Sequence, residues 1–389
     1  MRFQSYFNTA VLLIRQYDGN VPLVHFLKQY FGQNKKYGST DRKWISHICY
    51  TYYRIGHALK AHSIEERLKA ALFLINEEPQ DWKILFDATW LNKWDQELSE
   101  RLAFIQSQYP DFSIQSIFPW ITELSEEIDA TAFILSHFIQ PDLFLRIRQG
   151  NEKRVLQKLT DHKIPFQQLS VNCIALPNAT KIDTVLEIDK EVVIQDYSSQ
   201  RIADFLQLTT YNLSPNTPIW DCCSASGGKT ILAKDVLGNI YPTVSDIRPS
   251  ILKNLQQRFK NAGIKSYHSF VNDLSKNIPN IQQCKLVICD VPCSGSGTWG
   301  RTPEQLYFFS EKKIAEYADL QKKIVSNAIS LVAPEGYFLY ITCSVFSQEN
   351  EEMANFIEKE LSSTSLKKEV LIGYTHKADT MFASLFQKA

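Results

Sequence analysis

The residues best suited to chemistry in this sequence are thiols and acids set in small, polar loops. In Leu286-Val-Ile-Cys-Asp290-Val-Pro-Cys293-Ser-Gly-Ser-Gly-Thr298 a carboxylate ends an apolar run and a thiol follows three residues on. Tyr340-Ile-Thr-Cys343-Ser places a second thiol at the end of another apolar run. Cysteine often serves as a small buried hydrophobe, and Cys222, Cys284 and Cys289 read that way. Cys293 and Cys343 lie past their strands among Ser, Thr and Gly, where a thiolate can act as a nucleophile.

Two further loops have the makings of a cofactor cradle. Asp221-Cys-Cys-Ser-Ala-Ser-Gly-Gly-Lys-Thr230 joins an apolar strand to a helix, and its small residues allow close backbone approach to a ligand at the helix N-terminus. Gly228-Lys229-Thr230 also matches the end of a phosphate-binding loop, but Cys223 stands where that motif needs its first Gly. A turn that merely packs helix on strand is the plainer reading. Asp246 ends the next strand, placed either to accept two ribose hydroxyls or to cap the following helix. Asp273, after the run ending at Val271, is either an adenine contact or a solvated loop aspartate. Cys284, Cys289 and Cys293 form no Cys-x-x-Cys pair and no histidine stands at ligand spacing beside them, so no metal site is expected. No Gly-x-Ser-x-Gly elbow occurs, which leaves Ser-His-Asp hydrolysis unsupported.

The elements that must position these loops follow from periodicity. Strand-like runs at Ile219–Cys222, Tyr241–Ser245, Leu286–Asp290 and Gly336–Ile341 alternate with helical stretches, notably 250–262 and 314–331. That alternation predicts an α/β doubly wound sheet over 206–389, with ligands beyond the carboxyl ends of its strands. Residues 135–205 read as a small α+β module, with strands at Leu143–Ile147, Cys173–Leu176 and 192–195 and a helix at 152–161. Residues 1–134 read as an all-α bundle. Ile45, Ile48, Cys49, Tyr52 and Ile55 mark one helical face, with Ser39, Thr40 or Asp41 as N-cap, and 64–75 and 98–105 repeat the pattern.

Composition bounds the answer. The 389 residues, 44% hydrophobic and 12% aromatic, suit two or three folded domains at about 150 residues each. No apolar stretch nears the roughly 20 residues of a membrane span, and the start lacks a signal-peptide core. Thiols in a cytoplasmic chain are therefore expected rather than disulfides. Basic and acidic residues balance at 42 each, yet the balance is a cancellation of blocks. Residues 1–60 hold nine basic and two acidic side chains, 61–130 five and fourteen, and 248–285 seven and one.

Taken in order, Asp221…Gly227-Gly228-Lys229-Thr230, Asp246, Asp290-Val-Pro-Cys293-Ser-Gly and Thr342-Cys343-Ser resemble the RsmB/NOP/Sun family of RNA cytosine-C5 methyltransferases. Gln195-Asp-Tyr-Ser-Ser-Gln200, Arg301-Thr-Pro-Glu304 and Glu349-Asn-Glu351 extend the match, which covers roughly 190–389. Ser39-Thr-Asp-Arg-Lys and the helix after it resemble, more faintly, the NusB-like domain of bacterial members. The resemblance implies a Rossmann-like class I methyltransferase domain, a small α+β module ahead of it and a helical RNA-binding front. It implies S-adenosylmethionine held by Cys223, Ser224, Ala225, Ser226, Gly227, Gly228 and Lys229, with Asp246 on the ribose, Asp273 near the adenine, and Asp290 at the same site. Catalysis would then rest on Cys343 as nucleophile, Cys293 in release of the adduct and Asp290 near cytosine N3. RNA, ribosomal RNA foremost, is the implied partner, met by a monomer without a membrane anchor, and the basic blocks would face it. Ser224 and Ser226 depart from the family's Cys-Ala-Ala-Pro-Gly-Gly-Lys pattern, Val291 and Gly300 from its usual Ala and Arg, and Asp379-Thr-Met-Phe from Asp-Gly-Phe-Phe. A catalytically weak homologue that binds RNA, and a P-loop-type nucleotide-binding protein, remain the alternatives.

Overall fold

The structure, a computed structural model, describes residues 2–76 and 80–389. Its first part is helical. Helix Ser39–Arg54 buries Ile45, Ile48, Cys49 and Tyr52 on one face. Its N-cap is Gly38 rather than any of the three residues expected. Asp41 falls in the first turn instead, where its carboxylate accepts the Gly38 N–H at 2.8 Å. Helix Ile64–Ile75 begins with a reciprocal cap, the Ser63 hydroxyl accepting from the Glu66 N–H at 3.2 Å and the Glu66 carboxylate from the Ser63 N–H at 3.1 Å. Contacts divide the chain into two compact units. One comprises Met1–Thr122, Asp129–Gln140 and Trp299–Ser310; the other comprises Glu123–Ile128, Pro141–Thr298 and Glu311–Ala389. The first thus recruits a short segment from far along the sequence. Within it Trp299 packs against Phe118, Trp120 and Phe309, and Glu304 accepts the Leu23 N–H at 3.1 Å. Among the described residues no helix is long and apolar enough to cross a membrane.

The second unit opens with a four-stranded sheet. It contains β1 (Leu143–Ile147), β2 (Gln167–Gln168), β3 (Cys173–Leu176) and β4 (Val192–Ile194), in the order β2-β3-β1-β4 with antiparallel neighbours. Helix Glu152–Asp161 lays Val155 and Leu159 on Leu145, Ile147 and Ile174. The Gln195–Gln200 motif is a joint. Asp196 caps the turn through the Ser198 N–H at 2.9 Å and accepts the Asp379 N–H at 3.1 Å, while Gln195 accepts from Arg146 Nε at 2.8 Å.

Seven strands make the main sheet: β5 (Thr217–Asp221), β6 (Ile240–Asp246), β7 (His268–Val271), β8 (Cys284–Asp290), β9 (Val332–Thr342), β10 (Ser363–Leu371) and β11 (Met381–Lys388). Their order is β10-β11-β9-β8-β5-β6-β7, parallel from β9 to β7, with β11 antiparallel to both its neighbours. The central strands are covered on both faces, which is why Ile219, Trp220, Val287, Ile288, Leu339 and Tyr340 are all buried. Helix Pro249–Ala262 shows how the sequence dictates a covering element. Pro249 opens it, Gly263 closes it at φ +76°, and Leu252, Leu255, Phe259 and Ala262 recur every three or four residues on the buried side. The α/β sheet expected from the alternation, and the Rossmann-like fold that the resemblance implies, are therefore present. β10 and β11 were not expected: β10 is an edge strand whose alternating Thr, Lys and Glu lacks an apolar signature.

Phe259 is fully buried between its helix and the sheet. Phe259→Ala is expected to cost about 3–5 kcal/mol, read as a lowered urea midpoint; an unchanged midpoint would contradict this packing.

Candidate active site

Strand order reverses between β5 and β8, since the chain runs outward from β5 through β6 to β7 on one side and from β8 to β9 on the other. A crevice must open where the two sets diverge, beyond their carboxyl ends. Asp221, Asp246 and Asp290 are the last residues of β5, β6 and β8, and Cys343 follows the last residue of β9. The register pairs Asp290 with Ile341. The β8 and β9 loops consequently leave the sheet at the same edge.

The loop after β5 is held from its own backbone and from the scaffold. Ser224 is buried, and both its N–H and its hydroxyl donate to the Ser245 carbonyl, at 2.9 and 3.1 Å. Ala225, at φ +44°, donates its N–H to Asp246 at 3.0 Å. Ser226 Oγ accepts from Arg258 at 2.9 Å, and Arg258 is itself paired with Asp189 at 2.8 Å. Gly227 sits at φ +82°, where a Cβ would stand 2.7 Å from Phe259, so only glycine fits. The two serines that depart from the family pattern are thus used to tie the loop down. Asp246 accepts from the Arg248 N–H and Nε at 2.9 and 3.0 Å. Burial pushes its carboxyl up, but Arg248 outweighs burial and holds it below the usual range. Arg248 is itself 59% exposed and free to yield its place to hydroxyl donors.

Deeper in, Lys229 Nζ lies 2.9 Å from Asp290 Oδ2. Asp290 outweighs burial and keeps the Lys229 ammonium charged, its pKa raised. Asp221 is completely buried. One of its oxygens accepts from Thr230 at 2.6 Å and the other has no partner, so burial pushes its pKa up to about 7, with Asp290 adding to the rise. The two loop thiols meet: the Cys343 N–H donates to Cys293 Sγ at 3.3 Å. Hydrogen bonding with Cys293, then burial and the Asp290 charge, push the Cys343 thiol up, with Lys229 opposing. Cys222, Cys284 and Cys289 are buried. Burial raises their thiols, Cys284 to about 11.

A cavity of about 610 Å³ lies at these strand ends, within the roughly 300–1,000 Å³ of small-molecule sites. Of the residues singled out in sequence it brings together Cys223, Ala225, Asp246, Asp273, Asp290 and Cys293. Ser224, Ser226, Gly227, Gly228 and Lys229 do not line it, and Cys343 reaches it through its contact with Cys293. Asp273 is engaged with Ser275 Oγ at 2.6 Å and Lys276 at 3.0 Å. Sequence reasoning missed the apolar walls, Ile247, Leu274, Leu320 and Ile324. Ile247 directly follows Asp246 and could have been inferred; Leu320 and Ile324 sit on helix Lys312–Ile329, where nothing local sets them apart from core positions.

A reversed strand order, one antiparallel strand near the edge and two strand-end carboxylates lining a cavity define a Rossmann-like methyltransferase fold. Residues 208–384 match the family described as 16S rRNA methyltransferase RsmB/F. A probable ribosomal RNA small subunit methyltransferase B from Bacillus subtilis is 26% identical over 231 residues, covering 57% of this chain and 51% of that protein. Its namesake from Synechocystis is 28% identical over 253 residues, covering 61% and 55%. The chain therefore spans about half the length of these curated relatives. Among solved structures PH0851 superposes with a TM-score of 0.71 at 19% identity, covering 98% of each chain. NSun6 from Pyrococcus horikoshii with SFG gives 0.55 at 13%, covering 64% of this chain and 91% of that one. At such identities the likeness is one of fold.

Because the Asp221 pKa is raised on folding, its contribution to stability is full below about pH 4 and fades as pH climbs toward 7. Asp221→Asn should be more stable than the parent at pH 8 and lose that advantage near pH 4. Chemical denaturation across this range would expose the opposite trend.

Proposed function

We propose that this chain transfers a methyl group from S-adenosylmethionine to C5 of a cytosine in RNA, through a covalent Cys343–cytosine adduct. The observation that carries this reading is the meeting of Cys343 and Cys293 beside the Lys229–Asp290 pair, at the edge of a cavity walled by Ile247, Leu274, Leu320 and Ile324. The residues fit the cofactor: Asp246 offers acceptors for ribose hydroxyls, Ile247 and Leu274 offer flat apolar cover, and Asp273 stands by for the adenine edge. When bound, S-adenosylmethionine supplies an electrophilic methyl group. Cytosine C5 is a poor nucleophile until the Cys343 thiolate bonds to C6 and the C5–C6 electron pair becomes that of an enamine. Asp290, when it carries a proton, donates it in a hydrogen bond near N3 and stabilises the charge arriving on the ring. That same engagement draws Asp290 away from Cys343, leaving Lys229 to favour the thiolate. After C5 is substituted, loss of its proton and breaking of the S–C6 bond free Cys343, and Cys293 assists this release.

A base in a helix cannot reach two strand-end loops, so the substrate is a single-stranded or opened site. Ribosomal RNA is the assigned substrate, in keeping with the relatives' names. Residues 206–389 carry the transfer, 135–205 link, and 1–134, with the basic 1–60 block, contact RNA. Incubation with labelled S-adenosylmethionine and small-subunit ribosomal RNA should yield 5-methylcytidine after nuclease digestion. Cys343→Ala should lower the rate about 10³-fold or more, and undiminished transfer would sink the mechanism. Cys293→Ala should leave protein joined to RNA on a denaturing gel; finding only free protein would remove Cys293 from the release step.

A further inference from the structure

Behind the two thiols lies a buried polar knot that the mechanism above does not use. Glu349 is fully buried, and among the described ion pairs it meets no cation. Its Oε2 accepts the Ser294 N–H at 2.9 Å and Gln321 Nε2 at 2.8 Å, and its Oε1 accepts the Ser344 hydroxyl at 2.6 Å. Ser294 directly follows Cys293, and Ser344 directly follows Cys343. Gln321 also donates to the Pro292 carbonyl at 3.0 Å, immediately ahead of Cys293. Every bond the Glu349 carboxyl makes therefore ends on a neighbour of a thiol, or on the glutamine that holds one. Ser294 Oγ adds a 3.1 Å bond to Ser344 Oγ, joining the same two loops again.

We infer that Glu349 is a positioning residue that fixes the Cys293 and Cys343 loops against each other, setting the distance and angle at which the two thiols work. The inference rests on the proposed chemistry for its effect on rate, and on geometry alone for its effect on the thiols. Three donors converge on two carboxyl oxygens, an arrangement a glutamine can largely reproduce. Its carbonyl can accept from Ser294 and Gln321, and its amide can donate to a re-turned Ser344 hydroxyl. Alanine cannot, and leaves a buried N–H without a partner.

The thiols supply a ruler. Diamide takes two electrons and two protons from adjacent thiols, forming one S–S bond and becoming the hydrazine, so the rate of the Cys293–Cys343 peptide's appearance in mass spectra reports how well the pair is held. In the full chain, Glu349→Ala and Ser344→Ala should slow this disulfide about tenfold. They should lower kcat for methyl transfer about 100-fold, the scale of an ångström's misplacement, with the Kd for S-adenosylmethionine within about twofold of the parent. Glu349→Gln should bring both readouts back to within about fivefold. An unchanged disulfide rate in Glu349→Ala and Ser344→Ala would overturn the inference, as would Glu349→Gln failing like Glu349→Ala. If Glu349→Ala does not fold, Ser344→Ala alone decides. Should the parent transfer no methyl to RNA, the proposed function fails, while the disulfide rates still test Glu349.

Discussion

Parallel pairing of β5 with β8 and of β8 with β9 is the constraint on which everything at this site depends. Parallel strands must all end on the same edge, and every connection between them must cross back over the sheet. Whatever chemistry the strand ends carry is therefore gathered on one rim without any long-range instruction beyond the pairing itself. The registers Asp221 with Ile288 and Asp290 with Ile341 bring the acids level with the thiol loops. The antiparallel β11 stands outside this logic. Its place beside β9 carries the sheet on to the edge strand β10, and Thr380, just ahead of it, donates its N–H to the Gly297 carbonyl of the thiol loop at 2.9 Å.

Charge at the rim is balanced by pairs that a ligand can rearrange. Lys229 holds Asp290, Arg248 holds Asp246, and Lys276 holds Asp273. Each acid is thereby paired without being locked, because a hydroxyl, amine or base edge can replace its partner. Asp221 is the exception, buried against Thr230 with an oxygen left over. It belongs to the floor of the site.

Much of this was legible in the sequence because it rests on local rules. Pro249 and Gly263 bracket a helix, an acid after an apolar run marks a strand end, and thiols among Ser and Gly mark loops. Other features depend on particular bonds and packing that residue pattern alone does not show. Gly38 rather than its neighbours caps a helix because Asp41 bonds back to it. Ser224 and Ser226 read as losses from a family pattern, yet one reaches Ser245 and the other Arg258, partners fixed only by the fold. Leu320 and Ile324 look like any buried helix face, and the polar β10 does not look like a strand at all. The joining of Trp299–Ser310 to the helical unit is likewise a matter of tertiary packing.

The small four-stranded module bears on how such a chain could change over time. Arg146 and Arg148 of its sheet region both grip Asp235, at 2.7 Å each, on the helix that begins at the cofactor loop. Asp189 reaches the same loop from the other side through Arg258 and Ser226. The module is a brace on that loop as much as a connector. Changes to residues 141–205 would therefore be felt at that loop, and the substitutions such a module can accept over time are those that keep Arg146, Arg148 and Asp189 in their places.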